Sequence, residues 1–174
     1  MKLFYDTEFT GLHQNTTLIS IGIVSENGHT FYGEFSDYDK NQCDDWIKEN
    51  VLSKCGNKKD NSGYINRSIQ CISIGNKVHI RHDLVCWLEQ FDNIEMWSDC
   101  LAYDWVLFCE LFDGAFGIPK HIYYIPFDIC TLFKIKGINP DVSRELFAGI
   151  TISEKHNALY DACVIKDCYY KLMM

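Results

Sequence analysis

The run Leu3-Phe4-Tyr5 leads straight into Asp6-Thr7-Glu8. An apolar, aromatic stretch of this kind reads as a short buried strand within residues 3–12. Side chains alternate faces along a strand, so Asp6 and Glu8 point the same way. Two carboxylates on one face at the end of a buried strand repel each other. A divalent cation between them removes that cost, and hard oxygen ligands suit Mg²⁺ or Mn²⁺. Asp-x-Glu also occurs by chance in many proteins, so the pair alone does not make a metal site.

The following segments give that strand its neighbours. Residues 17–24 form a second strand candidate, Asn27-Gly28 is a strong hairpin turn, and residues 30–35 alternate as a third, antiparallel strand. Residues 44–52 carry apolar side chains near helical spacing, with Asp44 placed to cap them. Residues 69–74 alternate, and Gly75-Asn76 could turn them back as a hairpin. Helices are expected over 82–91, 104–112, 128–135, 143–147 and 157–172. Short strands are expected over 94–98 and 123–126. Strands first, then helices alternating with strands, predict an α/β domain with a mixed sheet. Neither a repeat nor a linker divides the 174 residues, so one domain spanning 1–174 is expected.

Charge narrows the function classes. Sixteen basic side chains stand against 24 acidic ones, a net charge of −8. That balance argues against a sequence-blind grip on nucleic acid, which needs a basic surface. A site that handles phosphates through metal ions stays open. The most basic stretch, within residues 54–67, reads as a solvated loop, with an arm touching a phosphate backbone as the functional alternative. Nine cysteines form no Cys-x-x-Cys pair and no zinc spacing. They read as reduced, mostly buried small hydrophobes of a cytoplasmic protein. No apolar run is long enough to span a membrane.

Two further places carry acids beside apolar structure. Asp104 follows a strand candidate and opens a helix, where capping is its simplest role. His156 and Asp161 frame the start of the last helix. Five helical positions rotate by roughly 140° beyond a full turn, so the two share no face within one helix. They converge if His156 lies in the loop before the cap and Asp161 in the first turns.

Asp6-x-Glu8, Tyr103-Asp104 and His156-x-Ala158-x-x-Asp161, in this order, resemble the three motifs of the DEDDh 3′–5′ exonucleases, in the ribonuclease T and ribonuclease H-like group. Phe-Tyr-Asp-Thr-Glu-Phe, Ser-Ile-Gly-Ile-Val and His-Asn-Ala-Leu-x-Asp are most similar to its compact branch of mycobacterial-type exoribonucleases acting on adenylate-rich RNA. The resemblance covers nearly the whole chain. Many members carry Ala-His-Asn before the second motif, whereas Ser98-Asp99-Cys100 stands here, leaving open whether Asp99 assists at the metal site.

The resemblance implies a ribonuclease H-like mixed sheet, with a three-stranded meander plus parallel strands, flanked by helices. It implies two ions, Mg²⁺ or Mn²⁺, with Asp6 bridging, Glu8 and Asp161 on one and Asp104 on the other. His156 would take the proton from the attacking water. Glu8 and the backbone near Phe9 would meet the terminal ribose. Phe9 and Trp105 are candidates for stacking on a base, with core packing as the alternative for both. The implied partners are single-stranded RNA or DNA 3′ ends and a second copy of the chain as a homodimer, with no membrane. The residues admit two other readings. Asp6-x-Glu8-x-Thr10 brushes against the haloacid-dehalogenase phosphatase signature, and a binding module on the same fold would be expected to have lost one or more of the acids.

Overall fold

The computed structural model describes residues 1–56, 71–151 and 154–174. Six strands form one sheet: β1 (Lys2–Phe9), β2 (Leu18–Ser25), β3 (Thr30–Phe35), β4 (Cys71–Gly75), β5 (Glu95–Ser98) and β6 (Phe127–Asp128), in the order β4-β3-β2-β1-β5-β6. The β1–β2–β3 meander is antiparallel, while β4, β5 and β6 pair in parallel with their neighbours. This is the mixed α/β sheet that the resemblance implies. The helices are α1 (Asp45–Asn50), α2 (Lys77–Leu88), α3 (Leu101–Leu111), α4 (Ile129–Ile135), α5 (Arg144–Ala148) and α6 (Ala158–Met173).

Both sheet faces are covered, which explains the nearly unbroken apolar run of β1. Leu3 and Tyr5 pack with Ile80 and Leu84 of α2 and Leu107 and Phe108 of α3. Phe4, on the opposite face, packs with Phe133 of α4 and Ile165 and Cys168 of α6. Alternation then puts Asp6 and Glu8 on the α6 side. Gly22 pairs with Asp6 across the β1–β2 ladder. A Cβ at Gly22 would sit 2.2 Å from the backbone N of Leu159, so α6 lies directly on this strand. Glycine inside a strand marks such a close approach.

Several caps follow the sequence reading. Asp44 and Asn157 accept backbone N–H bonds at the starts of α1 and α6, and Ser143, read as the first helical residue, instead caps α5. Other expectations need correction. The segment ending at Gly75 forms no hairpin, because β4 runs parallel to β3 and Asn76 caps α2 by accepting from the His79 N–H at 3.0 Å. Residues 69 and 70 lie outside the described residues, as does most of the basic loop. Capped by Asn76, helix α2 starts at Lys77, well before His82, and ends at Leu88. The strand expected over 123–126 is displaced: Ile122 bridges Ile94, and Phe127–Asp128 forms β6. Asp128 then caps α4, receiving the N–H groups of Cys130 and Thr131. The cysteines are less buried than the sequence reading expects: Cys43, Cys109 and Cys168 are buried, Cys86 and Cys100 are exposed, and the other four are intermediate. Among the described residues, no helix is long and apolar enough to cross a membrane.

Candidate active site

The carboxylates gather at one end of the sheet, between its two helical layers. Asp6 and Glu8 come from β1 and are 9% and 8% exposed. Asp161 comes from the first turn of α6, which Gly22 allows against the strand. Oxygens of Asp6, Glu8 and Asp161 lie within 4.8 Å of one another, and so do oxygens of Asp6, Asp99 and Asp104. Asp6 belongs to both groups.

Asp104 arrives from the opposite helical layer. It is not the cap of its helix: α3 begins at Leu101, the cap position is Cys100, and Asp104 sits in the first turn with no exposed surface. The Thr7 hydroxyl donates to Asp104 Oδ1 at 2.6 Å. Asp104 Oδ2 is buried and makes no hydrogen bond of ordinary geometry among the described residues, while the Ser98 hydroxyl lies near enough to favour the charged carboxylate. An orphaned oxygen on a buried carboxylate that is grouped with two other acids is unfavourable for the bare protein. An all-oxygen donor set with one unsatisfied buried oxygen fits a hard divalent cation.

Burial disfavours the charged forms, and the acids then repel one another. Burial, followed by Asp104 and Glu8, raises Asp6 well above the usual carboxylate range. Glu8 is pushed up to about 9 by burial and then by Asp161 and Asp104. Burial also takes Asp161 to about 8. Asp104 rises to about 7, again through burial, with the Thr7 hydroxyl opposing the shift.

His156 lies in the loop before α6, as convergence with Asp161 requires. Its φ of 66° is left-handed, and its backbone N–H donates to Asp161 Oδ2 at 2.8 Å. The turn folds the side chain back over the acids, with Nδ1 3.9 Å from Glu8 Oε2. Partial burial, then Lys155 and Lys54, holds the imidazole below its usual value. The ring meets Trp46 edge-on at a centroid distance of 4.9 Å.

Apart from the fully buried Asp104, these groups open onto a cleft of about 370 Å³. Its lining includes Asp6, Glu8, His156 and Asp161, together with Phe9, Leu12 and Trp46. Phe9 stacks on Tyr103, with centroids 5.1 Å apart. Trp105 is outside this lining; it stacks on Phe108 and packs against the core. Trp46 escaped the sequence reading because helical spacing marks it as core, yet it is 51% exposed. Arg144 also lines the cleft, and nothing about a lone Arg in a short helix signals that.

A family model described as the Rv2179c-like 3′–5′ exoribonuclease domain matches residues 1–173. Two curated relatives from Mycobacterium tuberculosis strains, the 3′–5′ exoribonucleases Rv2179c and MT2234.1, are each 28% identical over 164 residues, covering 93% of this chain and 87% of theirs. With the match running through nearly every residue, the chain belongs to the Rv2179c-like 3′–5′ exoribonuclease domain family.

Proposed function

We propose that this enzyme removes nucleotides from the 3′ end of single-stranded RNA by metal-dependent hydrolysis, releasing nucleoside 5′-monophosphates. The observation that carries the reading is the pair of carboxylate groups sharing Asp6, one of them including the fully buried Asp104. Asp6, Glu8 and Asp161 would hold one divalent ion, and Asp6 and Asp104 the second. When bound, such ions activate water and offset charge on the leaving oxygen.

The protein's own groups do the rest. His156 stands over Glu8 and accepts the proton of the attacking water, with its imidazole kept neutral by partial burial and nearby lysines. Asp161 fixes the His156 turn through the backbone while serving the ion. Phe9, braced on Tyr103, gives a flat wall for a terminal base, and Glu8 is placed for the terminal ribose. The packing of Trp105 in the core leaves it no part in this reading. A homodimer in the cytoplasm, one catalytic domain per chain, completes the proposal. A second copy would add surface to a chain of net charge −8.

Digestion of 5′-labelled single strands tests the reading. With Mg²⁺ or Mn²⁺ the label should shorten stepwise and monophosphates should appear. Undiminished cleavage in excess EDTA defeats metal dependence, and release of inorganic phosphate alone points to a phosphatase. A 2′-hydroxyl is the group by which such a site would prefer RNA. Equal rates on matched RNA and DNA would remove that preference and leave the nuclease.

A further inference from the structure

Asp99 has no place in the acid set just described, yet it is part of the same cluster. It lies in the short turn between β5 and α3, its carboxylate grouped with those of Asp6 and Asp104. The fully buried Asp104 contributes an Oδ2 that makes no hydrogen bond of ordinary geometry among the described residues. A third acid grouped with Asp6 and Asp104 makes the bare cluster worse, not better, unless a cation is meant to sit there.

Arg144 fixes Asp99 from behind. Its Nε donates to Asp99 Oδ2 at 3.1 Å. Nη1 donates to the carbonyls of Pro140 at 2.9 Å and Val142 at 2.6 Å, and Nη2 to Cys130 Sγ at 2.9 Å. The plane also lies 5.0 Å from the Phe133 ring centroid. A guanidinium held on each of its nitrogens cannot swing away, so the geometry it imposes on Asp99 is rigid. One Asp99 oxygen is thereby tied to Arg144. A carboxylate has a second oxygen with which to meet a cation.

We infer that Asp99 is a fifth acid ligand of this site, binding the ion between Asp6 and Asp104, and that Arg144 is the residue that positions it. The inference rests on the metal-dependent reading given above. Charge supports it: two divalent ions leave five carboxylates with one negative charge in excess, and Arg144 supplies the compensating positive charge inside the cleft wall. A salt bridge serving only to join α5 to the β5–α3 turn would have no reason to face Asp6 and Asp104.

Mn²⁺ binding to the substrate-free protein, followed by calorimetry and by electron paramagnetic resonance of the free ion, separates the two cases. The parent should bind two ions. Asp99→Asn should weaken one of them by at least ~10-fold and leave the other nearly unchanged. Arg144→Lys keeps the charge but loses the planar fork, and should weaken the same ion by roughly 10–100-fold, as loss of a ligand's supporting partner does. The double variant should bind no worse than Asp99→Asn, because Arg144 acts through Asp99. Thermal unfolding in EDTA checks that each variant is folded. Asp99→Glu, longer by one methylene and still charged, should weaken the same ion and serves if Asp99→Asn does not fold. Parent-like Mn²⁺ affinities in a folded Asp99 variant overturn the inference and leave the nuclease reading standing. A parent protein that binds no Mn²⁺ overturns both.

Discussion

The backbone N–H of His156 donates to Asp161 Oδ2 at 2.8 Å, so the proposed base and a proposed metal ligand share one turn of chain. The bond uses the main chain, which frees the imidazole for the cleft. Substitutions at the two positions should therefore have separable effects.

Replacing the His156 side chain should lower turnover by ~10²–10⁴, the usual worth of general-base catalysis, with little change in Mn²⁺ affinity. Because φ here is 66°, His156→Asn is the better probe, since Asn tolerates this conformation and Ala does so less readily. Single-turnover cleavage over a pH series reads the effect. A parent rate with a parent pH profile removes His156 from the mechanism, and Tyr160 then becomes the residue to examine.

Asp161→Asn retains an oxygen that can accept the His156 N–H but removes the charge. The fold should survive, as judged by the melting temperature in EDTA, while Mn²⁺ affinity falls along with turnover. Calorimetric affinities equal to the parent's would show that Asp161 is not a ligand.

Gly22→Ala should act on the site without touching a polar group. The added methyl group meets the α6 backbone at 2.2–2.3 Å, so helix or strand must move. Overpacking of this kind typically costs ~1–3 kcal/mol. Turnover should fall as well, because the displaced helix carries Asp161. Parent-like melting and activity would mean that the contact is easily relieved.

Without metal, stability should fall as pH rises. Glu8, Asp161 and Asp104 titrate in the folded state near about 9, 8 and 7, against ~4 for unfolded carboxylates. The folded chain thus binds more protons across this interval, and the stabilisation present below ~4 is lost on passing to ~9. Melting temperature in EDTA should decline from about pH 5 to about pH 9, and Mg²⁺ or Mn²⁺ should restore more of it at the alkaline end. A flat or rising profile in EDTA would contradict the buried-acid account.

Stacking should divide the aromatics. Phe9→Ala and Trp46→Ala should each raise KM for single-stranded RNA, since a stacked base is worth ~1–3 kcal/mol. Trp105→Ala should lower the melting temperature while KM stays near the parent value. An equal KM for Phe9→Ala would exclude the flat wall as a base platform.

Much of the fold was legible because strand alternation and cap chemistry are local signals. Asp6 and Glu8 share a face by periodicity alone, and Asp44 and Asn157 cap the helices they precede. The hairpin reading at Gly75-Asn76 failed because turn-forming and helix-capping residues are the same residues. Only the partner strand decides between them, and β4 found β3 in parallel. Trp46 and Arg144 were missed for a related reason. Their exposure to the cleft depends on what α1 and α5 pack against, which no local pattern encodes. Gly22 could have been read, since a lone glycine in an apolar strand signals close backbone approach.

The site also depends on closing most of the chain into one loop. Asp6 and Asp161 lie near opposite ends of the sequence, and the layer that brings Asp161 to β1 is α6. Loop-closure entropy opposes a contact of such sequence separation, and the packing of α6 on the sheet offsets it. Tyr5 is buried on the other face, among α2 and α3, so the core beneath the meander and the acid group above it rest on different helices. Docking of α6 over Gly22 is what adds the third acid to the Asp6–Glu8 pair.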